Sequence, residues 1–210
     1  MHDGGDSASQ KGKLRQDRNG MTICLIGMMG CGKSSVGRRL SELLSLPFVD
    51  LDSYIESVTD RRIPEIFASE GEAAFRKMES NALNEILYSE EFEVHETEGM
   101  NKREGRDMVL ALGGGTLTTK KNAEKIARKT LCIYLKATAD TLAERLAAEA
   151  QKRPMLAGKE LHRRIAELLK EREPMYEKAA RHTVETDGLS VAEIARRIAA
   201  TVKDTSDFQK

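Results

Sequence analysis

Apolar and polar positions follow two periods along this chain, and the switches between them lay out its elements. Short unbroken apolar runs stand at residues 22–26 (TICLI), 48–49 (FV), 108–112 (MVLAL) and 131–135 (LCIYL). So continuous an apolar character over so short a run suits a parallel strand buried on both faces. Between the runs, apolar residues recur at helical spacing. Val36, Leu40, Leu43 and Leu44 predict one buried helical face, and Phe75, Met78, Ala82 and Ile86 a second. Leu142 with Leu146 predicts a third, and Val191, Ile194, Ile198 and Val202 a fourth. Breakers refine the boundaries. Pro64 suits the first turn of a short helix over 63–69, which Ser69-Glu70-Gly71 ends before a longer helix over 72–88. Helices over 138–150 and 160–175 flank a loop at 151–158, and Pro174 predicts a kink or break. Residues 183–187 (TVETD) predict a last strand and turn before a helix over 190–202. Short strands alternating with helices imply a five-stranded parallel sheet in a three-layer α/β/α fold.

Two stretches fall outside this pattern. Residues 1–20 are almost free of apolar side chains and read as a disordered tail or an expression remnant. Residues 89–107 are acidic in their first half and basic in their second, which favours a solvated loop; Phe92 and Val94 leave a hairpin open. Asn101-Lys102-Arg103-Glu104 has Glu where the guanine-reading N-K-x-D pattern needs Asp, and no apolar strand precedes it, so that reading is discarded. Residues 21–203 are left as one domain interrupted at 89–107, with 204–210 a frayed tail.

Composition removes several function classes. Lys and Arg number 34, as do Asp and Glu, so no global field draws nucleic acid or an acidic membrane. No apolar run is long enough to span a bilayer, and the first residues lack the apolar core of a signal peptide. The three cysteines, Cys24, Cys31 and Cys132, lie far apart without metal spacing, and read as reduced thiols of a cytoplasmic protein.

The chemistry concentrates after the first strand. Residues 27–34, GMMGCGKS, fit the phosphate-binding loop G-x-x-x-x-G-K-[ST]. Gly27, Gly30 and Gly32 free the backbone to turn its amides toward a triphosphate, and the helix beginning near Lys33 adds its positive end. Lys33 would reach the β- and γ-phosphates, and the Ser34 hydroxyl would ligate Mg²⁺. Cys31 sits inside this loop and reads first as a small filler. Asp50 and Asp52 follow the second strand on one side of an extended segment. The first suits the Mg²⁺ water shell and the second an acceptor hydroxyl; capping of the helix at Ser53 is the alternative for either. Arg76 and Glu79, at i and i+3, could hold a guanidinium fork toward a carboxylate substrate or form an ordinary surface pair. Gly113-Gly114-Gly115 ends a buried strand and lets a ligand approach bare backbone. Lys152 and Arg153 open a basic loop, a candidate lid over about 151–161.

In order and spacing, these motifs resemble the shikimate kinases, a group of small P-loop kinases related to nucleoside-monophosphate kinases. The residues that carry the resemblance are 27–34, Asp50-Leu51-Asp52, Phe75-Arg76 with Glu79, Leu112 to Gly115, Arg153-Pro154-Met155-Leu156 and Arg172-Glu173-Pro174-Met175-Tyr176. The resemblance implies transfer of the ATP γ-phosphoryl group to the 3-hydroxyl of shikimate, on the way to chorismate and the aromatic amino acids. It implies a sheet ordered 2-3-1-4-5, a lid, and a monomer that binds shikimate and MgATP. By position, Arg76 and Arg172 would clamp the shikimate carboxylate and Glu79 would hold Arg76. Asp52 would bind ring hydroxyls and act as base, and Gly113, Gly114 and Gly115 would offer backbone. Arg153 would meet the transferring phosphoryl, Arg145 would lie near adenine, and Gly30, Cys31, Gly32 and Ser35 would complete the ATP contacts. Ser34 and, through water, Asp50 would hold Mg²⁺. A gluconate kinase, which shares the loop, the lid and an acidic substrate, is the nearest alternative.

Overall fold

The computed structural model describes residues 21–89, 92, 107–150 and 159–207. Its strands are β1 (Thr22–Ile26), β2 (Phe48–Asp50), β3 (Met108–Ala111), β4 (Thr130–Lys136) and β5 (His182–Glu185). They form one sheet in the order β2-β3-β1-β4-β5, with every pairing parallel, the order that the resemblance implies. The helices are α1 (Lys33–Leu44), α2 (Leu51–Thr59), α3 (Ile63–Tyr88), α4 (Lys120–Lys129), α5 (Ala139–Ala150), α6 (Lys159–Ala179) and α7 (Val191–Asp207). The crossovers put α1 and α7 together on one face of the sheet and group α3, α4 and α6 on the other. β1 is buried throughout and β4 at all but its ends, because helices cover both faces; this is why their sequences run apolar without alternation.

Register brings three strand ends together. Leu25 of β1 and Asp50 of β2 both pair with Ala111 of β3. The glycine loop after Ile26, the Asp50–Asp52 pair and the triple glycine after Leu112 therefore emerge side by side. They leave at the carboxyl edge, where open α/β sheets take their ligands. The connection from α3 to β3 returns at the opposite edge, where Asp107 Oδ1 accepts from the Met21 N–H at 2.5 Å. Within it, Phe92 meets the Tyr54 ring edge-on at 5.5 Å. The rest of that connection, and loop residues 151–158, lie outside the described residues.

Several elements depart from the pattern. The expected break in α3 falls on Gly71, whose φ of 81° and ψ of 175° interrupt the helix. Pro174 does not end α6, which runs on to Ala179. An interior proline forfeits one helical hydrogen bond, but beyond it Tyr176 and Ala179 are both buried in the core. Their packing outweighs the lost bond. Leu43 is 38% exposed and Val191 40%, although helical spacing predicts both on buried faces. In α1 the buried face is rotated toward Gly37 and Ser41, small residues that hydrophobicity does not flag. Gly37 lets the Phe48 ring press directly on the helix backbone. The final helix continues past Lys203 to Asp207.

Candidate active site

The phosphate loop is shaped by its glycines. Gly30 and Gly32 hold φ of 79° and 95°, a region closed in practice to residues with a β-carbon. Gly32 also starts α1, which has no side-chain cap and no acid in its first turn. Its leading N–H groups and positive dipole end are therefore kept for an anion that approaches from the loop. Lys33 is buried, and its Nζ donates to the carbonyls of Gly27 and Met28, both at 3.0 Å. Cys31 is a packed filler, 1% exposed, with Sγ 3.8 Å from Lys33 Nζ. Ser35 lies exposed on α1.

The two aspartates divide their tasks. Asp50 caps α2 by accepting from the N–H groups of Asp52 and Ser53 at 3.1 and 3.3 Å. Its other oxygen accepts from the Ser34 hydroxyl at 2.5 Å, so one side chain both caps α2 and stands beside the hydroxyl that ends the phosphate loop. A hydroxyl beside a carboxylate, both hard oxygen donors, fits Mg²⁺, which keeps most of its waters and takes few protein ligands. Asp52 is free of the cap. Burial pushes its pKa up to about 6, helped by the negative charges of Asp50 and Glu79 and opposed by Lys33 and Arg76. It is thus poised near the range of a general base.

Arg76 is fixed on both flanks. Its Nη1 donates to Glu79 Oε2 at 3.0 Å and its Nη2 to Glu72 Oε1 at 3.2 Å. Burial works against the charged guanidinium, but Glu79, and then Glu72, more than offset it and hold the pKa of Arg76 above its ordinary value. Glu79 is wholly buried, so this is not the exposed pair that the spacing also allowed. The triple glycine fits around these groups. A β-carbon at Gly115 would collide with the Arg76 guanidinium, and one at Gly113 would stand 2.7 Å from Asp52 Oδ1. Gly114 turns its carbonyl toward α6, where it accepts from Tyr176 Oη at 2.5 Å and lies 3.5 Å from Arg172 Nη1. Arg172 Nε is buried and has no hydrogen-bond partner among the described residues. Arg145 donates to the Thr186 carbonyl at 3.0 Å and reaches toward the Cys31 carbonyl at 3.4 Å, tying α5 to the loop. Arg153 and Lys152 lie outside the described residues.

Around the triple glycine, Thr116, Asn122 and the hydroxyl of Tyr176 are buried polar groups that escaped sequence reasoning. Thr116 donates to Glu79 Oε1 at 2.6 Å, and Asn122 Nδ2 to Ser80 Oγ at 3.1 Å. No spacing marks Thr116 or Asn122. Tyr176 stands inside a recognised motif, but only the fold shows its contact with Gly114.

An uncapped helix end behind a glycine loop, with a buried lysine and a carboxylate–hydroxyl pair beside it, defines a P-loop nucleotide-binding protein. The family model described as shikimate kinase matches residues 29–203. With that match the chain belongs to the shikimate kinase family. It is 37% identical to a shikimate kinase of Thermus thermophilus over 89% of this chain and 92% of that protein. A shikimate kinase of Zymomonas mobilis is 39% identical over 77% of this chain and 82% of its own length. The structure of shikimate kinase from Acinetobacter baumannii in complex with shikimate superposes with a TM-score of 0.74. It is 32% identical and covers 89% of this chain and 94% of that one.

Proposed function

We infer that this chain transfers the γ-phosphoryl group of ATP to the 3-hydroxyl of shikimate. Family membership carries this reading and favours it over gluconate phosphorylation. The chemistry asks for positioning and charge neutralisation. Lys33 and the first turn of α1 would bind the ATP phosphates, with Gly30, Cys31, Gly32 and Ser35 lining the loop and Arg145 near the adenine. Ser34, and Asp50 through water, would hold Mg²⁺. When bound, the ion supplies charge neutralisation at the β- and γ-phosphates. Arg76 and Arg172 would grip the shikimate carboxylate, and Gly113, Gly114 and Gly115 would let the ring approach backbone. Asp52 would take the proton of the attacking hydroxyl, and Arg153 would enter with the lid to face the transferring group. We take a monomer as the acting unit, the form that the resemblance to the shikimate kinases implies. No helix among the described residues is long and apolar enough to cross a membrane. The balanced charge of the chain, 34 Lys and Arg against 34 Asp and Glu, favours a reading without nucleic-acid or acidic-membrane partners, and we propose a cytoplasmic enzyme.

The direct test is ADP release from MgATP with shikimate, gluconate, nucleoside monophosphates or no acceptor. Stimulation by shikimate alone is expected; stimulation by gluconate alone would replace the reading. The pH profile should show Asp52. With its pKa near 6, kcat/KM for shikimate should fall about tenfold per pH unit below that value and level off above it. A profile flat to pH 5 would remove Asp52 as the base. Arg76→Ala should raise the KM for shikimate about 100-fold and leave the KM for ATP within twofold, because a bidentate charged contact to the acceptor is lost. Equal losses for both substrates would make Arg76 structural.

A further inference from the structure

Glu79 is the most deeply placed charge described in the site, and what it needs points to a residue outside the established motifs. Its side chain is wholly buried. A buried carboxylate must have its oxygens satisfied or the charge is very costly. Oε2 accepts from Arg76 Nη1 at 3.0 Å. Oε1 accepts from the hydroxyl of Thr116 at 2.6 Å, the short distance of a charge-assisted bond. Thr116 is itself wholly buried and has a second possible acceptor, the Gly113 carbonyl at 3.0 Å. A hydroxyl has one proton, and the closer, charged oxygen takes it.

The residues around this bond hold it in place. Thr116 opens the 3-10 turn Thr116–Thr118 directly after the triple glycine. Its N–H donates to the Gly113 carbonyl at 3.2 Å, which closes the turn. From α4, the wholly buried Asn122 donates to Ser80 Oγ at 3.1 Å and lies 3.5 Å from the Thr116 carbonyl. Ser80 in turn donates to the carbonyl of Arg76 at 2.9 Å. The turn that presents bare backbone is therefore bonded to both the side chain and the helix segment that carry Arg76. The packing is close on the other side as well: a β-carbon at Gly113 would stand 3.2 Å from both Glu79 Oε1 and Thr116 Oγ1.

We propose that Thr116 is a positioning residue for the acceptor site: its hydroxyl fixes Glu79, and Glu79 fixes the guanidinium of Arg76 for the substrate carboxylate. The proposal rests on the reading of Arg76 as an acceptor-binding residue. Arg76 faces the carboxylate, which is unchanged by the reaction, so ground state and transition state lose equally when it is misplaced. Thr116→Val keeps the shape and removes the hydroxyl. It should raise the KM for shikimate about tenfold, with kcat and the KM for ATP within twofold of the parent enzyme. Thr116→Ser restores the hydroxyl and should bring the KM back to within twofold. The proposal fails if Thr116→Val keeps the parent KM, if its kcat and both KM values worsen together, or if Thr116→Ser is as impaired as Thr116→Val. Should Thr116→Val not fold, Thr116→Ala against Thr116→Ser gives the same comparison. Arg76→Ala, measured alongside, separates the two levels. If it leaves the shikimate KM unchanged, the reading of Arg76 has failed; if it raises that KM while Thr116→Val does not, only the role of Thr116 has.

Discussion

Lys33→Ala is expected to lower kcat by about 10³-fold or more while the protein stays folded. The side chain is buried at the first turn of α1, and its ammonium is held by the carbonyls of Gly27 and Met28 at 3.0 Å each. Those two bonds keep the loop in its cradle shape before nucleotide arrives. On the proposed role of Lys33, they also hold its ammonium beside the place that the β- and γ-phosphates would take in front of the first N–H groups of α1. As the bridging bond breaks, negative charge grows on the phosphates, and a charge fixed beforehand stabilises that state without reorganising. Alanine removes the charge and leaves two carbonyls without that donor. The fold does not hang on this bond, because β1 and α1 are anchored by Ile23, Leu25, Val36 and Leu40, all fully buried. A coupled ADP assay with circular dichroism checks both halves. A folded variant with near-parental kcat would take Lys33 out of the mechanism.

Much of this machinery is legible in the sequence because it is local. Residues 27–34 carry their chemistry in consecutive positions, and Asp50 and Asp52 are two apart, so spacing alone places them. Arg76 and Glu79 are also near neighbours, but their surroundings are not local. The burial of Glu79 is not visible in that spacing, and its partner Thr116 is 37 residues away and meets it because the turn after the triple glycine packs against α3. The same holds for Tyr176, 62 residues from the carbonyl it holds. Single polar residues bonded across the fold leave no periodic trace. Errors in the helices have a related cause. Hydrophobic spacing tracks large side chains, so it overlooks Gly37 and Ser41 on the buried face of α1 and assigns Leu43 in their place. Local propensity predicts a kink or break at Pro174, and the packing of Tyr176 keeps the helix from ending there.

The arrangement around Asp52 puts activity and stability in opposition, and Asp52→Asn should expose both. On the proposed role of Asp52 as proton acceptor, the substitution should cost about 10²–10⁴-fold in kcat, the usual contribution of such a group. The same substitution should stabilise the free enzyme at pH 7.5. The pKa of Asp52 is raised from 3.8 to about 6, first by burial and then by Asp50 and Glu79. The folded protein therefore holds this proton more tightly than the unfolded chain does. That contribution to stability is fully present below about pH 4 and is lost as pH rises through about 6. At pH 7.5 the carboxylate is charged in a place that disfavours charge, at a cost of about 1–3 kcal/mol. Asparagine keeps the shape without the charge, so its melting temperature should exceed the parent's at pH 7.5, and the gap should shrink toward pH 4. A variant that is inactive and less stable at both pH values would mean that Asp52 organises the site instead of straining it. Greater stability at pH 7.5 together with lost turnover would show that the environment which raises the pKa of this carboxylate, and so suits it to accept a proton, is the one that makes it costly to fold.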